Sequence, residues 1–291
     1  MFIDIHGHVY RRPGAPHAGR QWFSTPEQLL VRYKELDIDQ AVLLPLVNPE
    51  YYLPQSVEEI LDICDEFPGR FIPFCNIDPR AWNNTPTSPL DELFAYYKQR
   101  GCKGIGEVMP NLWFSDPLVQ NLFRHAQDAG FPLIFDITTH VGHGVYGLAD
   151  EPGLPQLEMC LRAFPKLNIL GHGPAFWAEI SRLETPADRR GYPSYPLRGE
   201  GVVPTLLRRY PNMWGDLSAG SGHNALARDP DYAVKFLNEF QDKLLFGTDI
   251  CAPWQEVKLP EFLRALLRAG KISETVFKKI AHGNAIRLLG L

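Results

Sequence analysis

The residues with the clearest chemical potential are His6 and His8, in the run Asp4-Ile5-His6-Gly7-His8. Side chains along a strand alternate with period two, so the two imidazoles are expected to project to the same side. Two neutral imidazoles entering one cavity are poor packing material, because each buries nitrogens without assured partners. They suit a divalent metal instead, since imidazole is a borderline ligand that favours zinc, iron or nickel. Asp249 closes an apolar run after Gly247 and Thr248. A carboxylate there is costly unless paired or metal-bound, the plainer alternative being a helix cap. His172 stands between Gly171 and Gly173, which allow close backbone approach around its ring. Glu107 ends Gly104-Ile105-Gly106-Glu107, and Asp136 follows Pro132-Leu133-Ile134-Phe135, with His140 and His143 just beyond.

Eight short apolar runs read as the strands that must carry these groups: Phe2–His6, Gln40–Leu46, Arg70–Ile77, Lys103–Glu107, Pro132–Ile137, Leu167–His172, Asn212–Leu217 and Lys243–Asp249. Amphipathic stretches alternate with them over Thr25–Leu36, Ser56–Glu66, Leu90–Arg100, Pro117–Ala129, Leu154–Phe164, Val202–Tyr210, Asp231–Glu239 and Leu259–Ala269. Thr25, Ser88 and Asp116, each followed by proline, read as helix starts. A last helix over Ser273–Ala281 is expected to stop at Gly283. This order predicts an α/β fold: a (β/α)8 TIM barrel with a C-terminal helix, one domain over residues 1–291. An open doubly wound sheet would call for a glycine-rich phosphate turn after the first strand, and none is there. In a barrel the reactive face lies at the C-terminal strand ends, where the candidate acids and histidines fall. The proline-rich stretch Glu184–Glu200 reads as a long insertion of the kind that forms lids or binding loops.

Composition narrows the class. The 291 residues carry 29 Lys+Arg against 34 Asp+Glu, a net charge of −5, with no basic block for a nucleic-acid surface. With 45% hydrophobic residues a large core is available, yet no apolar run approaches the ~20 residues that span a bilayer. The start lacks the basic and long apolar regions of a signal peptide. Five scattered cysteines, odd in number and without CxxC, fit free thiols in a reducing compartment. The expectation is a soluble cytoplasmic protein acting on a small molecule, with no nucleic-acid or membrane partner. The oligomeric state, a homo-oligomer included, stays open.

Asp-Ile-His-Gly-His at the first strand, Gly-His at the sixth and Phe-Gly-Thr-Asp at the eighth resemble the amidohydrolase superfamily of metal-dependent barrels. The tail Ile280–Gly290 resembles the closing segment of its aromatic-acid hydrolase and decarboxylase branch, and the likeness covers essentially the whole chain. The resemblance implies His6 and His8 as ligands to the more buried metal, and Asp249 as a ligand that also orients or deprotonates the attacking water. It makes His172 a second-metal ligand or a catalytic imidazole, and Glu107 similar to the bridging strand-four glutamate of the TatD-type branch. At strand five the family usually places histidine, whereas this chain has Asp136. Asp136 could serve as a carboxylate ligand, or His140 or His143 could fold back, so one or two ions are implied. Zinc is the first expectation, with manganese or iron as substitutes.

A zinc-class ion lowers the pKa of bound water from ~15.7 to ~7. The implied reaction is therefore hydrolysis of a C–O or C–N bond in a small carbonyl compound, an amide, lactone or ester bearing a carboxylate. The alternative is metal-dependent decarboxylation of an aromatic or unsaturated acid. Arginine forks grip carboxylates and aromatics cover apolar ligand faces, so two groups are candidates for substrate recognition. One is Arg11, Arg12 and Arg20 near Trp22. The other is Arg182, Arg189, Arg190 and Arg198 near Trp177 and Tyr192. Arg11, Trp177 and His140 are the named substrate contacts. Cys251 reads as a packed thiol.

Overall fold

The computed structural model describes residues 1–291. Eight parallel strands form its centre. The first five are β1 (Phe2–Gly7), β2 (Ile38–Leu43), β3 (Phe71–Pro73), β4 (Ile105–Val108) and β5 (Leu133–Phe135). A short ladder of β6 (Ile137–Thr138) with β7 (Leu148–Ala149) follows, and then β8 (Ile169–Gly171), β9 (Met213–Asp216) and β10 (Leu244–Leu245) complete the set. Neighbours pair as β1-β2-β3 and β4-β5-β8-β9-β10. Two seams close the ring. Gly106 N donates to Cys75 O at 2.9 Å on one side; Ile5 N donates to Phe246 O at 3.0 Å and His8 N to Ile250 O at 3.1 Å on the other. The expected (β/α)8 barrel is the observed fold.

Around the ring lie α1 (Pro26–Leu36), α2 (Val57–Glu66), α3 (Asp91–Gln99), α4 (Pro117–Ala129), α5 (Pro155–Ala163), α6 (Pro174–Trp177), α7 (Val202–Arg209), α8 (Ala219–Ala227), α9 (Pro230–Glu239) and α10 (Leu259–Arg268). Then α11 (Glu274–Lys278) and α12 (Asn284–Leu289) end the chain. The short α6 and the glycine-bearing α8 carry no periodic signal in the sequence. Thr25, Asp116 and Ser273 cap their helices as expected, each accepting a backbone N–H. Ser88 does not: its hydroxyl donates to Asn83 within a turn, and α3 starts at Asp91. Gly283 does not stop the last helix either. Asn284 Nδ2 donates to Gln241 O and Leu244 O, both at 2.7 Å, and holds the segment helical through a π turn until Gly290 takes the left-handed cap. No helix is long and apolar enough to cross a membrane.

Strand parity sorts the core. Ile3, Ile5, Val42, Leu44, Ile72, Phe74 and their counterparts fill the barrel and meet Ala285 and Leu289 of α12. Phe2, Leu43, Phe71, Leu133, Phe135 and Ile169 belong instead to the larger layer beneath the helices. With Ile3 and Ile5 inward, strict alternation would send His6 and His8 outward. The pairing slips, however: Asp4 opposes Ala41 while Gly7 opposes Leu43, three steps against two. This bulge turns both imidazoles to the barrel mouth. β4 repeats the device, since Ile105 opposes Leu133 and Val108 opposes Phe135. Glu107 thereby swings inward between two helix-facing residues. Both strands that offer early candidate ligands carry a bulge where the ligands stand.

Candidate metal centre

His6 is completely buried, and its Nδ1 lies 2.7 Å from Asp216 Oδ2. His8 Nδ1 lies 2.9 Å from Leu44 O. Each contact favours the proton on Nδ1 and leaves the Nε2 lone pair free. The two Nε2 atoms face one another at 3.1 Å. Between them Gly7 is required, because a Cβ there would sit 2.5 Å from the Tyr33 hydroxyl. That hydroxyl donates to Asp4 Oδ2 at 2.7 Å, and Asp4 also accepts from Thr248 N and Thr248 Oγ1, tying β1 to the end of the eighth strand.

Two carboxylates converge on the imidazole pair. Asp249 Oδ1 lies 3.6 Å from His6 Nε2 and 3.4 Å from His8 Nε2, and Glu107 Oε2 lies 3.6 Å from both. Asp249 takes a left-handed φ of 53°, a region Asp tolerates better than most residues, and its N–H is pinned to His6 O at 2.8 Å. His172 Nε2 stands beside the other oxygens, 3.7 Å from Glu107 Oε1 and 4.0 Å from Asp249 Oδ2. Its Nδ1 is held by Ser218 Oγ at 2.8 Å and Asp216 Oδ2 at 3.3 Å.

The donor set fits a cation. At metal–nitrogen lengths of ~2.0–2.1 Å, neighbouring donors of a tetrahedral zinc stand about 3.3 Å apart. The His6, His8 and Asp249 atoms are spaced at 3.1, 3.4 and 3.6 Å. His6 is shared by two groups of convergent donors, with His8 and Asp249 and with Glu107 and His172. The electrostatics agree. Burial alone would push the His6 pKa down, but Glu107 and Asp216 outweigh it and hold it well above the usual histidine range. Burial would raise Glu107 and Asp249, yet the surrounding imidazoles keep both carboxyls below their ordinary values. Burial likewise works against Asp216, whose two histidine partners hold it far down. Positive charge is what this cluster lacks.

Asp136 is in neither donor group. It lines the cavity, but burial and the charge of Glu107 push its pKa up to about 8 instead of drawing it into the cluster. Gly173, at φ +93°, makes room for it, since a Cβ would sit 2.2 Å from Asp136 Oδ1. His140 pairs with Thr139 Oγ1 at 3.1 Å and lines an adjoining cavity, and His143 is exposed. Arg11 is drawn into an ion pair with Glu66 at 2.6 Å, away from the mouth. Trp177 is 1% exposed and its Nε1 donates to Asp216 O at 2.8 Å, so it packs behind the site and does not meet a ligand. Cys251 Sγ lies 3.7 Å from Asp249 Oδ1, its thiol pushed up by burial. Asp216, Asp4 and Ser218 were not foreseen. Asp216 had the same signal as Asp249, an acid closing an apolar run.

The cavity at the mouth measures about 140 Å³ and is lined by His8, Glu107, Asp136, His172, Asp249, Cys251 and the rings of Tyr51, Tyr146 and Tyr192. Its neighbour measures about 300 Å³.

The same fold recurs in solved structures. A TIM-barrel protein from Bordetella bronchiseptica is 18% identical, with 99% of this chain and 98% of that one covered and a TM-score of 0.63. A 2,6-dihydroxybenzoate decarboxylase from Rhizobium is 16% identical, with 99% and 98% covered and a TM-score of 0.56. An amidohydrolase from Burkholderia multivorans with bound zinc is 15% identical, with 100% and 99% covered and a TM-score of 0.56. No curated protein sequence matches the chain. A family profile described as Amidohydrolase matches residues 3–291, and the chain belongs to that family.

Proposed function

We propose that the chain is a hydrolase using a single divalent ion, zinc first, to cleave a C–O or C–N bond in a small carbonyl compound. The observation that carries this reading is Asp249. One of its oxygens is 3.4 Å from His8 Nε2, while the side chain keeps 24% exposure toward the cavity. His6, His8, Asp249 and Glu107 would hold the ion, and His6's place in both donor groups argues for one ion and not two. The ion would supply Lewis acidity and lower the pKa of bound water. Asp249 accepts the proton as water attacks and returns it to the leaving group. Burial and His6 oppose protonation of His172, but Asp216 raises its pKa overall. In its protonated form His172 offers an N–H from Nε2 to the oxygen that gains charge. Asp216 and Ser218 hold that ring in place.

The bound zinc of the Burkholderia amidohydrolase supports the choice of metal. The test uses a panel of carboxylate-bearing lactones, esters, amides and aromatic acids in ¹⁸O-water. Incorporation of one solvent oxygen into product, with turnover lost in Asp249→Asn and the fold intact, is expected. Carbon dioxide release without incorporation overturns hydrolysis in favour of decarboxylation, the activity of the Rhizobium structure.

A further inference from the structure

Nearly every buried carboxyl of the chain has a visible occupation. Asp4 accepts from Tyr33 and Thr248, Asp150 from Gln156 N and Leu157 N, Glu179 pairs with Arg189, and Asp216 holds His6. Glu107 faces the histidine cluster. Asp136 is the exception. It is 6% exposed and stands outside both groups of convergent donors. No side chain hydrogen-bonds its oxygens, and the N–H of the next residue, Ile137, is the donor beside them.

The side chain is held in place all the same. Asp136 N donates to Val108 O at 3.1 Å and Leu148 N donates to Asp136 O at 2.9 Å, so β4 and β7 pin its backbone. Gly147 and Gly173, both at positive φ, flank the carboxyl: Cβ atoms there would stand 3.0 Å from Oδ2 and 2.2 Å from Oδ1. This slot opens where the mouth cavity meets its larger neighbour, because Asp136, Tyr146 and Pro174 line both. The oxygens are open to that space and not sealed within protein. A carboxyl that is desolvated, fixed and short of donors marks a place for a donor brought by a ligand.

The surroundings select that donor. A second carboxylate would meet a like charge. An ammonium would share the space with the proposed ion and with Arg190, which is exposed and lines the larger cavity. An apolar edge would leave the carboxyl with neither water nor partner. A hydroxyl gives its proton to the carboxylate and can accept in turn from the Tyr146 hydroxyl, which senses the Asp136 charge. We propose that Asp136 is a specificity-determining residue: it receives, at the junction of the two cavities, a hydroxyl that the substrate carries apart from its reacting carbonyl. The assignment rests on the proposed metal centre, which places the carbonyl, and adds the group that the substrate must carry beside it.

Calorimetric titration with benzohydroxamate and its 2-, 3- and 4-hydroxy derivatives tests it, because the hydroxamate head binds a metal ion while the ring carries the hydroxyl to different reaches. In zinc-loaded wild type at least one hydroxylated probe is expected to bind about tenfold more tightly than benzohydroxamate. That preference should vanish in Asp136→Ala, with bound zinc and the affinity for benzohydroxamate unchanged. Asp136→Asn keeps the shape, guards against a folding defect and should retain an intermediate preference. The urea midpoint should fall in neither variant, since no side chain loses a partner. No preference in wild type, an undiminished preference in every variant that folds, or zinc lost together with the carboxyl overturns the assignment, the last by making Asp136 a metal ligand. Failure of wild type to take up zinc would overturn the proposed function separately. The hydroxylated-to-plain ratio on metal-free wild type and Asp136→Ala then still reads the carboxyl: a ratio lost in the variant upholds the assignment, and no ratio or no binding overturns it.

Discussion

His6 Nδ1 stands 2.7 Å from Asp216 Oδ2, with both side chains fully buried, and this contact fixes which nitrogen of His6 faces the barrel mouth. The carbonyl of Leu44 does the same for His8. Two lone pairs are thereby aimed at each other across 3.1 Å, with Glu107 and Asp249 adding negative charge around them. Such an arrangement calls for positive charge, which a metal ion supplies or, without one, a proton taken up by His6.

Asp216→Asn tests that orienting contact. The amide keeps the shape but loses the charge that holds His6 and His172, and such partners of ligating histidines are worth 10–100-fold in metal affinity. A drop of about that size in zinc affinity is expected, measured by competition with a chromophoric chelator. Wild-type affinity in the variant would refute the assigned orientation.

Metal removal should lower stability. At free zinc a hundredfold above Kd, linkage contributes about 2.7 kcal/mol, a rise in Tm on the order of 5 °C. Calorimetry of stripped and reloaded protein is expected to show that rise in wild type and not in His8→Ala, with one ion per chain by elemental mass spectrometry. Two ions per chain would require a second donor set, which Asp136 does not complete.

The histidine pair was legible because few other roles suit two imidazoles at strand spacing. Its direction was not: alternation from Ile3 and Ile5 points both rings outward, and only the slip against β2 brings them in. A bulge depends on pairing with a distant strand, which no local pattern encodes. The barrel was legible from eight alternating runs, while α6 and α8, short or glycine-bearing, left no period. Arg189 was one arginine among four in a loop. Its burial depends on Glu179 and on the Asp150 carbonyl, brought close only by the fold. Arg11 and Trp177 illustrate the converse, residues of suitable type claimed by an ion pair and by the core.

Trp177→Phe separates packing from recognition. The change removes the indole donor to Asp216 O and leaves that buried carbonyl short of a partner. A loss of about 1–2 kcal/mol is expected from the unsatisfied group, read as a lower urea midpoint at unchanged slope. Substrate KM should stay within about twofold. A KM that rises sharply at constant stability would return Trp177 to the binding site.

Glu50, outside the donor set, offers a pH-dependent prediction. Its carboxylate accepts from both Arg80 terminal nitrogens at 3.0 and 3.1 Å, from Asn48 Nδ2 at 2.9 Å and from Asn111 N at 3.1 Å. It therefore joins the loops that follow β2, β3 and β4 at the barrel mouth. Burial would raise its pKa, but Arg80 and the amide donors outweigh it and bring it from 4.5 down to about 2. A depressed folded pKa gives stability that is fully present above the unfolded value and disappears as pH falls toward the folded one. The full difference corresponds to about 3.4 kcal/mol at pH 7, which solvent screening of the partly exposed pair reduces to about 2 kcal/mol. Glu50→Gln is therefore expected to cost that amount in urea unfolding at pH 7. The gap between wild type and variant should narrow steadily below pH 4.5. A gap that stays constant down to pH 3 would mean that hydrogen bonding alone, and not the charge, holds the three loops together.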